Sequence, residues 1–509
     1  MPAAHNKLSQ HPCFRNLAGA VRRHLSTLAF ASSLLFGVAH AAPPGPPGPP
    51  APTAPAPAQI NAASVAHLKK MRAFVDPQQG VQATPTTLPG FTTAPDPSGA
   101  IGTVAAPVVP TNNGFFRPLG TNNRTCLTCH QPQNAWSISA ASAQARFSAT
   151  NGSDPLFRLV DGATCPTADV STLAAQAKAY GLLTRKGLIR IGLPLPANAQ
   201  FRITAISDPY NCNTNPVTGL AAGFGSGIVS IYRRPLPTGN LGFLNTIMWD
   251  GREPNLSTQA TNAMLGHAQA SLPPSPTTIA QIVGFESSVL TAQHADNNAG
   301  ILSSNGATGG PVNLQAQLNT FLQRPGVAGL FNLFNAWAAP TGPDAAAQAA
   351  VARGQAIFNR TTFPITRVAG LNDVQNVNHI TGSCSTCHNN PNVGNHSVDT
   401  LFNIGIADVP PNGKVPTDLP VFTLVCTSGL LARQTFTVTD PGRALITGAC
   451  ADIGKLKVPA LRGLAARAPY FHDGRAASLL DTVNFYDTRF SIGLTAQQKS
   501  DLVAFLGSL

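Results

Sequence analysis

Charge is scarce in this sequence. Only 11% of its 509 residues are Asp, Glu, Lys or Arg, against 45 Gly and 45 Pro, which describes a loop-rich chain. The small charge it has leans basic, +12 at pH 7, but its Lys and Arg are scattered. A nucleic-acid surface needs Lys/Arg runs interleaved with aromatics, so no nucleic-acid partner is expected and acidic partners fit better. Long apolar runs are scarce as well. Leu25 to Val38 is too short to span a bilayer comfortably, and it follows the basic Arg22, Arg23 and His24. Ala39-His40-Ala41 supplies a small-x-small cleavage pattern. Residues 1–41 therefore read as an export signal, taking Cys13 with it and leaving no stable membrane span. Residues 42–59 are rich in Pro, Gly and Ala, a composition that favours extended polyproline II and reads as a tether. What remains, about 450 residues, is long enough for two or three domains.

Cysteine is sparse too, yet four of the nine fall into one repeated pattern. Cys126-Leu127-Thr128-Cys129-His130 and Cys384-Ser385-Thr386-Cys387-His388 are both Cys-x-x-Cys-His, the pattern for covalent attachment of a c-type haem. The cysteines add across the haem vinyls, and the histidine that follows coordinates the iron. A single copy would also suit a zinc half-site or a redox dithiol. Two copies that both continue into His, with no further Cys-x-x-Cys to complete a zinc site, favour two covalent haems c. Such haem is joined to an exported, unfolded chain, which agrees with the signal and predicts a periplasmic protein. Cys165, Cys212, Cys426 and Cys450 remain. Their even number in an oxidising compartment suggests two disulfides, and the most local of the three connectivities is Cys165–Cys212 with Cys426–Cys450; free thiols are the alternative.

The order of elements is that of a duplicated module. An Ala-rich helix over Asp344 to Asn359 precedes the second haem motif, and a helix from about Thr495 to Leu509, with a Thr495/Gln498 capping box, closes the chain. Ser64 to Val75 reads as the leading helix of the first half. Leu188-Ile189-Arg190-Ile191-Gly192 and Phe201-Arg202-Ile203-Thr204 read as strands inserted on a helical scaffold. The expected fold is thus mainly α: two cytochrome c-like helical domains, 60–340 and 341–509, each with a covalent c-type haem, plus loop and short β-strand insertions. A second repeat follows the haem motifs. Trp249-Asp250-Gly251-Arg252 runs on to Leu256, as His472-Asp473-Gly474-Arg475 runs on to Leu479. In this register Tyr486 lies fourteen residues after His472, where Ala263 lies after Trp249. A phenol oxygen can coordinate ferric haem and a methyl group cannot. Haem 2 is then closed by His388 and Tyr486, and haem 1, held by His130, is open. Met264, one residue off register, is the alternative that would close haem 1, and Tyr486 as a packed core side chain is the alternative for haem 2.

These residues resemble the bacterial di-haem cytochrome c peroxidase family, including its MauG-type members. The resemblance spans about residues 110–509 and is most specific from Val458 to Arg475, with Trp249 to Arg252 and Gln259 as a second anchor. It implies two cytochrome c-like domains with Trp249 between the haems. It also implies a calcium ion in the same region, with Pro469 where a backbone carbonyl ligand is expected. The family's catalytic glutamate falls on Gln269, which cannot act as a base. His267 is the nearest replacement, as acid/base or as a ligand, and Glu286 is a weaker candidate. Arg252, Arg475 and His472 read as holding haem propionates or the domain interface, or as plain turn residues; His472 could also be a ligand. The expected function is a periplasmic di-haem peroxidase-like oxidoreductase. Haem 1 would use hydrogen peroxide or another small oxidant, with electrons from a small cytochrome or copper protein relayed through haem 2. The alternatives are a non-catalytic electron-transfer cytochrome and a MauG-like or rubber-oxygenase-like enzyme.

Overall fold

Two crossed helices organise the second half of the chain. The computed structural model describes residues 90–105, 112–221, 223–323, 328–409 and 416–509; the expected signal, tether and Ser64 to Val75 helix lie outside them. The Thr495 hydroxyl accepts from the Gln498 amide, and the Gln498 side chain accepts from the Thr495 amide, which starts the Ala496–Gly507 helix. That helix packs across the Ala345–Arg360 helix. They cross at Gly354, where any Cβ would run into the Asp501 carbonyl oxygen, so only glycine permits this approach. Phe505 is fully buried at the crossing, against Phe331, Phe334 and Phe358. Burial of a side chain of this size contributes roughly 2–3 kcal/mol. Arg353 grips Asp501 at the rim through two 2.8 Å bonds. The Leu479–Phe490 helix, opened by a Ser478/Asp481 capping box, brings Tyr486 in beside them. The first half has a matching pair, Leu256–Gly266 capped by Asn255 and Pro276–Ser288 capped by Ser275, packed on each other.

The fold is not mainly α. Among the described residues, eleven strands in four antiparallel sheets accompany the helices. Strands β1 (Phe91–Asp96), β2 (Gly99–Ala105), β6 (Val289–Asp296) and β7 (Gly300–Ile301) form one sheet in that order. Strands β3 (Ile189–Pro194) and β5 (Ile228–Arg233) pair with each other. Strand β10 (Val421–Cys426) lies between β4 (Phe201–Ser207) and β11 (Thr435–Val438). Strands β8 (Phe363–Thr366) and β9 (His379–Gly382) form the last pair. The two anticipated strands exist as β3 and β4, but they are more than trim on a helical scaffold. Ile203, Val229, Ile231, Phe422 and Leu424 close one apolar core from three sheet segments, and burial of a shared apolar face is what stabilises such a layer. The pairing of β4 with β10 sets Ile203 opposite Leu424, joining the two halves of the chain in one sheet. Disulfides Cys165–Cys212 and Cys426–Cys450 staple this region, with Cα atoms 5.6 and 6.1 Å apart. Each is worth roughly 2–4 kcal/mol through the loop it closes.

Candidate functional site

Both Cys-x-x-Cys-His segments fold into the same short 3-10 turn, and in each case the residue before the first cysteine caps it. The Thr128 hydroxyl accepts from the Thr125 amide at 3.0 Å, and the Thr386 hydroxyl accepts from the Ser383 amide at 2.9 Å. The His130 and His388 amides then donate to the Cys126 and Cys384 carbonyls. Each ring is turned the same way: His130 Nδ1 donates to the Trp136 carbonyl at 2.9 Å and His388 Nδ1 to the Gly394 carbonyl at 2.6 Å. That bond fixes the tautomer and leaves the Nε2 lone pair for a metal. Burial pushes both imidazoles down to about 4, so they stand neutral at neutral pH, the form that ligates. The four motif cysteines are free thiols, whereas the other four described cysteines are paired. Each motif opens onto a cavity, cavity 1 of about 200 Å³ and cavity 2 of about 190 Å³, both within the compact unit Val81–Leu509.

A haem c fits these cavities on charge as well as on ligands. Lys457 lines both and Arg467 lines cavity 2; the only carboxylate acting on Lys457 among the described residues is Asp399, at longer range than a salt bridge. Burial pushes the two cations down to about 8 and about 10, and Arg467 Nε has no hydrogen-bond partner. A buried cation without a close counter-charge is costly, and haem propionates would supply one.

The cavities differ on the face opposite the histidines. In cavity 2, Tyr486 faces His388 edge-on with ring centres 6.5 Å apart, and burial raises its phenol well above the ordinary range. In cavity 1, Ala263 and the buried Met264 line the wall from the matching helix. His267 follows at that helix's end and lines cavity 1. Its Nδ1 lies 2.5 Å from Asp161 Oδ2, and Asp161 Oδ1 accepts from Arg124 at 2.6 Å. Burial raises the Asp161 carboxyl, but the bond to His267 and the Arg124 guanidinium outweigh it and hold the group below the usual range. Gln259 also lines cavity 1, whereas Gln269 is exposed and does not. Glu286 lines it too, 3% exposed, with Oε2 unpartnered; burial pushes its carboxyl up to about 8.

Trp249, Arg234 and Lys457 line both cavities. The Trp249 indole donates to the Arg234 carbonyl at 2.8 Å and meets the His472 ring edge-on at 6.2 Å. His472 is buried, lines cavity 2, and has no hydrogen bond at either nitrogen. Behind this wall, the fully buried Arg233 pairs with Asp440 and Asp250 at 2.6 Å each, and Arg252 also pairs with Asp250. Two cations and two anions therefore neutralise one another, the condition under which burying them is tolerable. Arg252 and Arg475 each bond the aspartate of their own Asp-Gly-Arg turn, and Arg252 also lines cavity 1. Asp161, Arg233, Arg234 and Asp440 escaped the sequence reading. The Arg233-Arg234 pair, set directly after the apolar Ile228–Tyr232 run, was a visible signal for the middle two.

The calcium implied by the resemblance would sit at the Pro469 carbonyl, close to the buried Arg234 guanidinium. No group of three or more His, Cys, Asp or Glu among the described residues is arranged to hold a metal ion. The carbonyl of Arg467, two residues before Pro469, is already taken by Arg234 Nη2 at 2.6 Å.

Thiol pairs beside buried, neutral histidines are what covalent attachment of a haem c requires. No family model matches the chain. It is 33% identical over 136 residues to the cytochrome-c peroxidase IdrP2 of Denitromonas iodatirespirans, covering 25% of this chain and 36% of that protein. It is 37% identical over 81 residues to the cytochrome-c peroxidase IdrP1 of Pseudomonas sp. (strain SCT), covering 14% and 21%. The IdrP1 of Denitromonas iodatirespirans is 30% identical over 145 residues, 25% of this chain and 36% of that protein. The chain thus spans about a third or less of the curated relatives it matches. A solved MauG-like protein associated with microbial copper homeostasis aligns over 78% of this chain and 87% of its own, at 15% identity and a TM-score of 0.35. The chain resembles the di-haem cytochrome c peroxidase/MauG family, and the sequence relatives support that resemblance. Among the described residues, no helix is long and apolar enough to cross a membrane.

Proposed function

We propose that this protein is a periplasmic di-haem c-type oxidoreductase that reduces hydrogen peroxide in cavity 1 with electrons delivered through cavity 2. The observation that carries the reading is the pair of like cavities sharing Trp249 as a wall but differing where Tyr486 stands against Ala263. A haem with one open coordination position supplies a site for peroxide, and one with both positions filled stores and passes electrons. Cys126, Cys129 and His130 would hold the first haem; Cys384, Cys387, His388 and Tyr486 the second. Residues 60–340 and 341–509 are then the two haem-bearing parts, interlocked through the β4–β10 pairing.

The protein's own groups supply the proton handling. His267, oriented by Asp161, is placed to hold or give a proton at Nε2 in cavity 1, the task that a glutamate at the position of Gln269 would have had. Gln259 is a second hydrogen-bonding group in the same cavity and Trp249 the aromatic link between the two. The electron donor fits a small acidic cytochrome or copper protein, since the chain carries +12. Met264 supports a second reading: buried in cavity 1, its thioether could close the first site and make the protein an electron carrier.

Adding hydrogen peroxide to the holoprotein, with and without a reduced cytochrome, separates the readings. Oxidation of the cytochrome that depends on peroxide is the expected result. No reaction with peroxide under either condition removes the peroxidase reading.

A further inference from the structure

We infer that the cation between the two candidate haem sites is the guanidinium of Arg234, built into the chain in place of a bound calcium ion. This rests on the two-site reading only for naming what lies on either side of Arg234. Arg234 is 5% exposed and has no carboxylate partner among the described residues. Its side chain instead gathers backbone oxygens, the ligand type expected of a hard cation site. Nη2 donates to the Ile138 carbonyl at 2.7 Å and to the Arg467 carbonyl at 2.6 Å, and Nη1 donates to the Lys186 carbonyl at 3.0 Å. Those oxygens come from three separate segments of the chain. Gly187, at φ +62, completes the cradle: a Cβ there would press into Arg234 Nη1.

The main chain of Arg234 ties the same place to both Asp-Gly-Arg turns. Its amide donates to the His472 carbonyl at 2.7 Å, and its carbonyl accepts from the Trp249 indole at 2.8 Å. One residue thus holds Trp249, His472 and the Pro469 segment in register. A divalent ion at the nearby Pro469 carbonyl would face this buried guanidinium, which no side-chain carboxylate among the described residues offsets. An always-charged planar fork with five donors can meet several carbonyls at once, and it does not dissociate. No calcium is therefore expected at this place.

Elemental analysis of the gel-filtered holoprotein, followed by EGTA or added calcium, tests this directly. The expected result is well under one calcium per chain, with the haem spectrum and melting temperature unchanged by EGTA. One tightly held calcium per chain, or a spectrum or melting point that EGTA alters, overturns the inference. Arg234→Gln is the second arm. It should lower the melting temperature by several degrees, because the charge is lost and a carbonyl is left without its donor. An unchanged melting temperature would show that Arg234 braces nothing, and a variant that fails to fold leaves the wild-type calcium content to decide. Failure of peroxide turnover in an EGTA-insensitive protein would sink the peroxidase reading and leave this one standing.

Discussion

Asp161 is a buried carboxyl kept ionised by its neighbours, since the bonds to His267 and Arg124 outweigh the effect of burial. A carboxylate so placed fixes one tautomer of His267 and supports a proton at its far nitrogen. Replacing His267 by Ala should slow the reaction with peroxide by roughly 10²-fold, the usual scale for a lost general acid–base. Asp161→Asn should cost roughly tenfold and shift the pH profile, the mark of a positioning residue. Stopped-flow rates across pH read both, and an intact rate in His267→Ala would remove it from the chemistry. Glu286 is the opposite case. Burial alone raises its carboxyl from 4.5 to about 8. A folded-state value above the unfolded one favours the fold at low pH, and that advantage is lost as pH rises through about 8. Unfolding by urea should therefore show stability falling from about pH 5 to pH 8, with Glu286→Gln flattening the slope. Equal slopes in the two proteins would assign the effect to another group.

At the scale of elements, the crossing at Gly354 carries the sharpest expectation. Gly354→Ala puts a methyl group into the Asp501 carbonyl and forces the Ala345–Arg360 and Ala496–Gly507 helices apart. A loss of about 2–3 kcal/mol is expected, the scale for overpacking a tight contact. A denaturant melt would show it as a lower midpoint at unchanged slope, and wild-type stability would mean that the helices can slide. These helices were legible in sequence because their signals are local: the capping box at Thr495 and Gln498, and the Ala-rich run after Asp344. The sheets were not. Ile203 meets Leu424 across more than two hundred residues, and alternation within a seven-residue strand says nothing of its partner. Short strands were therefore visible as β3 and β4 but read as ornament, when they close a core of their own.

Over the whole molecule, the two halves present one local design twice, with different residues at corresponding places. The Cys-x-x-Cys-His turns and the offset of Tyr486 against Ala263 could be read from spacing, since duplication turns one sequence into its own alignment. The wall between the cavities could not. Arg233, Asp250 and Asp440 come together from distant positions, and only the fold pairs their charges. The missing glutamate was already legible as Gln269, and Glu286, named as a weaker candidate, does line cavity 1, whereas Asp161 arrived from a distant segment. The central claim is that the two sites are unequal, one closed by Tyr486 and one open. The electron paramagnetic resonance spectrum of the oxidised holoprotein tests it most directly, recorded for the wild type and for Tyr486→Phe. The account predicts one high-spin and one low-spin ferric haem in equal amounts, with the low-spin signal converted to high-spin in the variant. Two low-spin haems in the wild type, or a low-spin signal untouched by Tyr486→Phe, would contradict it.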